Sequence, residues 1–107
     1  MEDKIQIIYQ TVSGHSPYEE WLNSLRDRVG RARVKIQVRR ATLGNLGDHR
    51  SVGDGVVELR IHFGPGYRVY FGLRGNEFVL LGGGTKSSQP KDVLKAHSYW
   101  QDYKKDI

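Results

Sequence analysis

VVELRIHFGPGYRVYF, residues Val56 to Phe71, decides how this chain folds. Val57, Leu59, Ile61 and Phe63 alternate with Val56, Glu58, Arg60 and His62, which is the period of a half-buried strand. Gly64-Pro65-Gly66 reads as a turn, because Pro fixes φ while Gly admits the left-handed conformations of a tight reversal. Alternation then resumes, with Tyr67, Val69, Phe71 and Leu73 set against Arg68, Tyr70 and Arg74. A one-residue slip would turn every side chain to the wrong face, so the register is restricted. Closing the hairpin on the three residues Gly64-Pro65-Gly66 places His62 opposite Arg68 and Arg60 opposite Tyr70. Directly opposed side chains lie roughly 5 Å apart at Cβ. Two guanidinium groups, an imidazole and a phenol are then expected on one outward patch suited to an anion, phosphate first.

The rest of the chain supplies helices and further strands. Lys4–Val12 is rich in β-branched residues and predicts an opening strand. Ser16-Pro17-Tyr18-Glu19 has a capping residue, a proline at the first helical position and Glu19 at capping-box spacing. A first helix is therefore expected to about Asp27, broken by Gly30. A second runs from about Arg31 to Leu43, ended by Gly44. Its apolar residues form two stripes, Val29/Ala32/Ile36/Leu43 and Val34/Val38/Ala41, which predicts a helix gripped on two sides. Asn45–Gly55 reads as a loop, from which His49 could reach the patch. Glu77–Leu81 is apolar on both faces, as an interior strand would be. Gly82-Gly83-Gly84 lets that strand end with close backbone approach and brings Lys86 to the sheet edge. A last helix starts near Pro90 with Val93, Ala96, Trp100 and Tyr103 as its packing stripe. The expected order is β-α-α-β-β-β-α: one α+β domain over residues 1–107, with a small antiparallel sheet and two N-terminal helices.

Composition narrows the chemistry. The absence of cysteine excludes disulfides and thiolate sites, and the four histidines have no metal-ligand spacing, so neither metal nor cofactor is expected. No apolar run approaches membrane-spanning length, so a soluble, cytoplasmic protein with no membrane partner is expected. In Gly82–Ser87, Thr85 precedes Lys86 and the leading glycine is misplaced, which excludes a P-loop. Lys and Arg number 17 against 12 Asp and Glu, an excess of cations that favours a polyanionic partner. Seven cations lie between Arg26 and Arg40 against the single acid Asp27; Arg31, Lys35, Arg39 and Arg40 among them are candidates for RNA contact.

No serine, histidine and acid stand in an arrangement for nucleophilic catalysis. RNA cleavage suits a cationic patch, because the substrate brings its own nucleophile, the ribose 2′-OH. The protein need only move protons and neutralise charge on phosphorus. Arg60, Arg68 and Lys86 are the candidates to hold phosphate, His62 to transfer protons, and Tyr70 to orient or stack. An alternative for Arg60 and Arg68 is a structural ion pair with Glu58 or Glu77.

GVVELRIHFGPGYRVYF and LLGGGTKSSQPKD, with the chain length, resemble the toxins of bacterial type II toxin–antitoxin modules. The likeness is to the RelE/ParE superfamily, in its HigB-like addiction-module killer branch, and covers nearly the whole chain. It implies the β-α-α-β-β-β-α fold, ribosome-dependent cleavage of mRNA, and control by a cognate helix-turn-helix antitoxin. It places Arg68 at the family's central arginine, Arg60 and His62 where RelE relatives carry lysines, and Lys86 near another active-site arginine. A tyrosine found near the start of the last helix in RelE relatives is replaced here by Lys91 and Asp92. ParE relatives share the fold and inhibit DNA gyrase without hydrolysis, so the resemblance leaves that alternative open.

Overall fold

A computed structural model describes residues 3–105. The chain is α+β, with a five-stranded sheet in the order β1-β5-β4-β3-β2. In chain order the elements are β1 (Ile5–Ile8), α1 (Pro17–Ser24), α2 (Arg28–Thr42), β2 (His49–Ser51), β3 (Val56–Ile61), β4 (Tyr67–Arg74), β5 (Glu77–Thr85) and α3 (Gln89–Lys105). A 3₁₀ turn, Lys86–Ser88, joins β5 to α3. The sheet is mixed rather than antiparallel: β1 pairs in parallel with β5, while the other neighbours are antiparallel. Two intervening helices and a hairpin give the chain enough length to return alongside β1 in the same direction. β2 lies within the segment expected to be a loop. None of the helices among the described residues is long and apolar enough to cross a membrane.

Both faces of the sheet are covered. Leu59, Ile61, Tyr67, Val69, Phe71, Phe78 and Leu80 pack against Tyr18 and Leu22 of α1 and Val34, Val38 and Ala41 of α2. On the opposite face Val56, Tyr70, Val79 and Leu81 pack against Ala96 and Trp100 of α3. The face expected to be outward is therefore core along much of its length, and only its far end stays open.

Boundaries shift for local reasons. Ser16 makes no side-chain cap, so the expected capping box of α1 does not form. α1 stops at Ser24, and Asp27 caps α2 instead, its Oδ1 accepting from the Gly30 amide at 2.9 Å. Gly30 does not break the helix; it lies inside α2 because a Cβ there would sit 2.6 Å from the Tyr67 ring. α2 is gripped on one side only. Val34, Val38 and Ala41 are buried, whereas Val29, Ile36 and Leu43 are exposed.

The central hairpin closes one pair earlier than the turn signal predicts. Ile61 pairs with Tyr67, Arg60 with Arg68 and Glu58 with Tyr70. The residues from His62 to Gly66 fold back on themselves, with Gly66 N–H donating to the Phe63 carbonyl at 3.1 Å. A shift of two residues preserves every facing, so hydrophobic alternation could not distinguish the two registers. A second irregularity lies in β5: Tyr70 pairs with Gly82 but Phe71 with Leu80, leaving Leu81 as a bulge. The bulge inverts the alternation beyond it. Gly82 and Gly84 therefore share the face of Tyr70 and Arg68, while Gly83 lies under Trp21 of α1.

Candidate functional site

Two rows of side chains cross the open end of the sheet. One runs Arg50 on β2, Glu58 on β3, Tyr70 on β4 and Gly82 on β5. The next runs Arg60, Arg68 and Gly84. Directly opposed arginines repel each other. Glu58 offsets this repulsion. Its carboxylate, 1% exposed, accepts from Arg60 Nε at 3.1 Å and lies 3.9 Å from both Arg50 Nε and Arg68 Nε. Tyr70 Oη and Gln89 Nε2 each donate to its other oxygen at 3.2 Å. Arg68, its side chain 11% exposed, keeps a buried Nε with no hydrogen-bond partner among the described residues.

Arg50, Glu58, Arg60, Arg68, Lys86 and Gln89 line a shallow hollow of about 260 Å³. Four cations face one carboxylate there, so a positive excess remains to bind an anion. Gly84 leaves room for Asp92, which accepts from Ser88 Oγ at 2.5 Å and fixes the turn carrying Lys86. Lys86 N–H donates to the Gly66 carbonyl at 2.8 Å, tying the hairpin turn to the same corner.

Arg60, Arg68 and Lys86 are thus brought together as the sequence predicts. Three other expectations are corrected. Tyr70 is fully buried, because α3 covers its face. It cannot stack on a base. Burial first, and then the Glu58 carboxylate, raises the phenol well above its ordinary range, so Tyr70 stays a neutral donor. His62 lies beyond the end of β3 and does not face Arg68. Its side chain is 73% exposed and its Nε2 meets Asp48 Oδ2 at 2.5 Å. The His62 hydrogen bond is the main cause holding the Asp48 carboxyl below its usual range, with smaller help from Arg60 and Arg68 against desolvation. His49 pairs with Leu59, on the opposite face, and bonds the Gly47 carbonyl instead.

The helix cations also divide. At 3.6 residues per turn, Arg33, Gln37 and Arg40 project from one flank of α2 and Arg28, Lys35 and Arg39 from the other. Arg33 and Arg40 border a second hollow, of about 540 Å³, together with Arg60, His62 and Phe63. Lys35 instead borders a hollow beside Tyr18 and Leu22. Arg31 turns back to donate to the Leu25 carbonyl at 3.1 Å. Of the four helix cations expected to touch RNA, only Arg40 adjoins the Arg60 corner. Among the described residues no group of three or more His, Asp or Glu could hold a metal ion.

Over 80 residues the chain is 42% identical to an uncharacterized protein of Haemophilus influenzae, a match spanning 74% of this chain and 81% of that protein. This chain belongs to the same family as that Haemophilus protein. No protein-family model matches this chain.

Arg50 and Gln89 line the hollow without having been placed there from sequence, and the burial of Glu58 was not foreseen. Glu58 stood out only as a possible ion-pair partner for Arg60 and Arg68, since nothing in the pattern shows that a helix will bury it. Arg50 lies in a three-residue edge strand too short to show a period.

Proposed function

We propose that this protein is the toxin of a type II toxin–antitoxin pair, a HigB-like member of the RelE/ParE superfamily acting as a ribosome-dependent mRNA endoribonuclease. The observation that carries this reading is the open hollow in which Arg50, Arg60, Arg68 and Lys86 converge around one buried carboxylate. A phosphodiester seated there meets guanidinium groups already oriented by Glu58, with no reorganisation needed as charge develops on phosphorus. The ribose 2′-oxygen attacks phosphorus and the 5′-oxygen leaves, taking a proton from solvent, which gives a 2′,3′-cyclic phosphate and a 5′-hydroxyl. The Asp48–His62 pair, reaching the strand from the other side of Arg60, takes the 2′-OH proton. With Nε2–H donated to Asp48, Nδ1 is the free acceptor. An opening strand, two helices, a run of antiparallel strands and a last helix support the reading. Such a toxin acts in the cytoplasm and is neutralised by a helix-turn-helix antitoxin.

Induction in cells followed by primer-extension mapping of mRNA 5′ ends tests this. Codon-phased cuts that disappear with Arg68→Ala and fall with Arg60→Gln are expected. Intact transcripts in growth-arrested cells reject it. A second reading, non-hydrolytic inhibition of a target such as DNA gyrase, is favoured by one observation: among the described residues no histidine lines the Arg68 hollow itself. A plasmid supercoiling assay separates the two, since a ribonuclease leaves gyrase activity intact.

A further inference from the structure

Arg60 stands on the wall of both hollows, the one containing Arg68 and the larger one between α2 and the end of β3. The larger hollow is unlike the first. Its lining mixes apolar Ile36, Ile61 and Phe63 with cationic Arg33, Arg40 and Arg60. Ile36 is 51% exposed, a large aliphatic side chain on a helix whose core stripe lies elsewhere. The Arg33 guanidinium carbon sits 4.8 Å from the centroid of the Phe63 ring, in cation–π contact. The single carboxylate on the wall, Asp48, is engaged by His62. Among the described residues neither Arg33 nor Arg40 has an ion-pair partner.

We infer that this hollow is a second nucleotide subsite, taking the base and phosphate of the unpaired ribonucleotide next to the one gripped at Arg68. This deepens the proposed function and rests on it. A volume of about 540 Å³ falls in the range of small-molecule sites and exceeds what a phosphate alone would fill. An aromatic ring and a guanidinium plane are the two surfaces on which single-stranded bases stack without regard to sequence. Arg40 is placed to take the phosphate. The two hollows meet at Arg60, so successive phosphates of one strand can occupy both. Paired RNA cannot enter in this way, because its bases are stacked inside the duplex.

The test is fluorescence anisotropy with a labelled, 2′-O-methylated single-stranded RNA of about twelve nucleotides, within the length such sites span. Its paired duplex and inorganic pyrophosphate serve as the other probes. Phe63→Leu and Arg40→Gln are each expected to weaken the single strand about tenfold, the scale of one stacking or phosphate interaction, and Phe63→Leu to leave pyrophosphate binding unchanged. Arg40 is exposed on the helix, so its substitution does not threaten the fold. Arg68→Ala is expected to weaken both probes. If Arg68→Ala weakens them but Phe63→Leu and Arg40→Gln do not, the subsite is overturned and the ribonuclease reading stands. Equal binding of duplex and single strand also overturns the subsite. If Arg68→Ala leaves RNA binding unchanged, the ribonuclease reading falls and the subsite with it.

Discussion

Glu58 is the residue on which the site turns, because it makes two opposed arginines tolerable while leaving them positive toward solvent. Its Oε1 serves Arg50, Arg60 and Arg68, and its Oε2 serves Tyr70 and Gln89. Glu58→Gln keeps the shape and one acceptor but removes the charge that holds the guanidiniums together. We expect a loss of about 1–3 kcal/mol in urea denaturation, the scale for a disrupted buried polar partner. Pyrophosphate affinity should rise, since the arginines lose their internal competitor. Lower affinity with unchanged stability would show that Glu58 shapes the site without competing for it. Asp48 gives a pH prediction. His62 holds its carboxyl below the ordinary range, so the pair stabilises the fold above the unfolded carboxyl range and loses that contribution as pH falls through the lowered value. His62→Ala should return the Asp48 carboxyl toward its ordinary value, as read by NMR titration of its carboxyl carbon. An unmoved titration would mean that Arg60 and Arg68 dominate. Arg60, Arg68 and Lys86 were legible in the sequence, because strand alternation and a glycine-rich strand end fix where they emerge. Tyr70 and His62 were not: α3 covers the first, and β3 ends before the second.

At the scale of elements, faces were readable but offsets and coverings were not. The hairpin, the interior strand at Glu77 and the three helices follow from periodicity together with proline and glycine signals. The two-residue shift of the hairpin and the bulge at Leu81 leave hydrophobic facings intact or invert them among glycines, so alternation carries no trace of either. Glycines mark where helices press on the sheet. At Gly72 a Cβ would meet the Trp100 ring at 2.7 Å, and Trp100 is itself buried and stacked on Tyr103. Gly72→Ala should therefore destabilise the fold by about 1–3 kcal/mol through overpacking, more than the gain from a less flexible unfolded chain. Chemical denaturation measures the net effect, and a neutral or stabilising result would show that α3 can shift away from the sheet. The exposed stripe of Val29, Ile36 and Leu43 has a related explanation. Two apolar stripes on one helix predict two packing partners, but the sheet presents only one surface to α2.

For the whole molecule, the question is how a cation excess is arranged around one small sheet. α2 divides it. Arg33 and Arg40 extend the positive surface of the Arg60 corner, while Arg28, Lys35 and Arg39 face the other way, beyond reach of a strand lying in the two hollows. A short RNA should release counterions only from the first flank. Arg33→Gln with Arg40→Gln should flatten the plot of log affinity against log salt by about 0.7, the value for the one phosphate of a single strand that Arg40 no longer neutralises. Neutralising Arg28, Lys35 and Arg39 together should leave that slope unchanged. Under the proposed function the same triple variant should lose co-sedimentation with ribosomes, because a particle coated in structured RNA would meet the far flank while a message occupied the near one. If the triple variant flattens the oligonucleotide slope as much as the double one, the strand wraps α2 rather than following the corner. The two flanks would then act as one diffuse polyanion surface, and ribosome association would fall equally with either set.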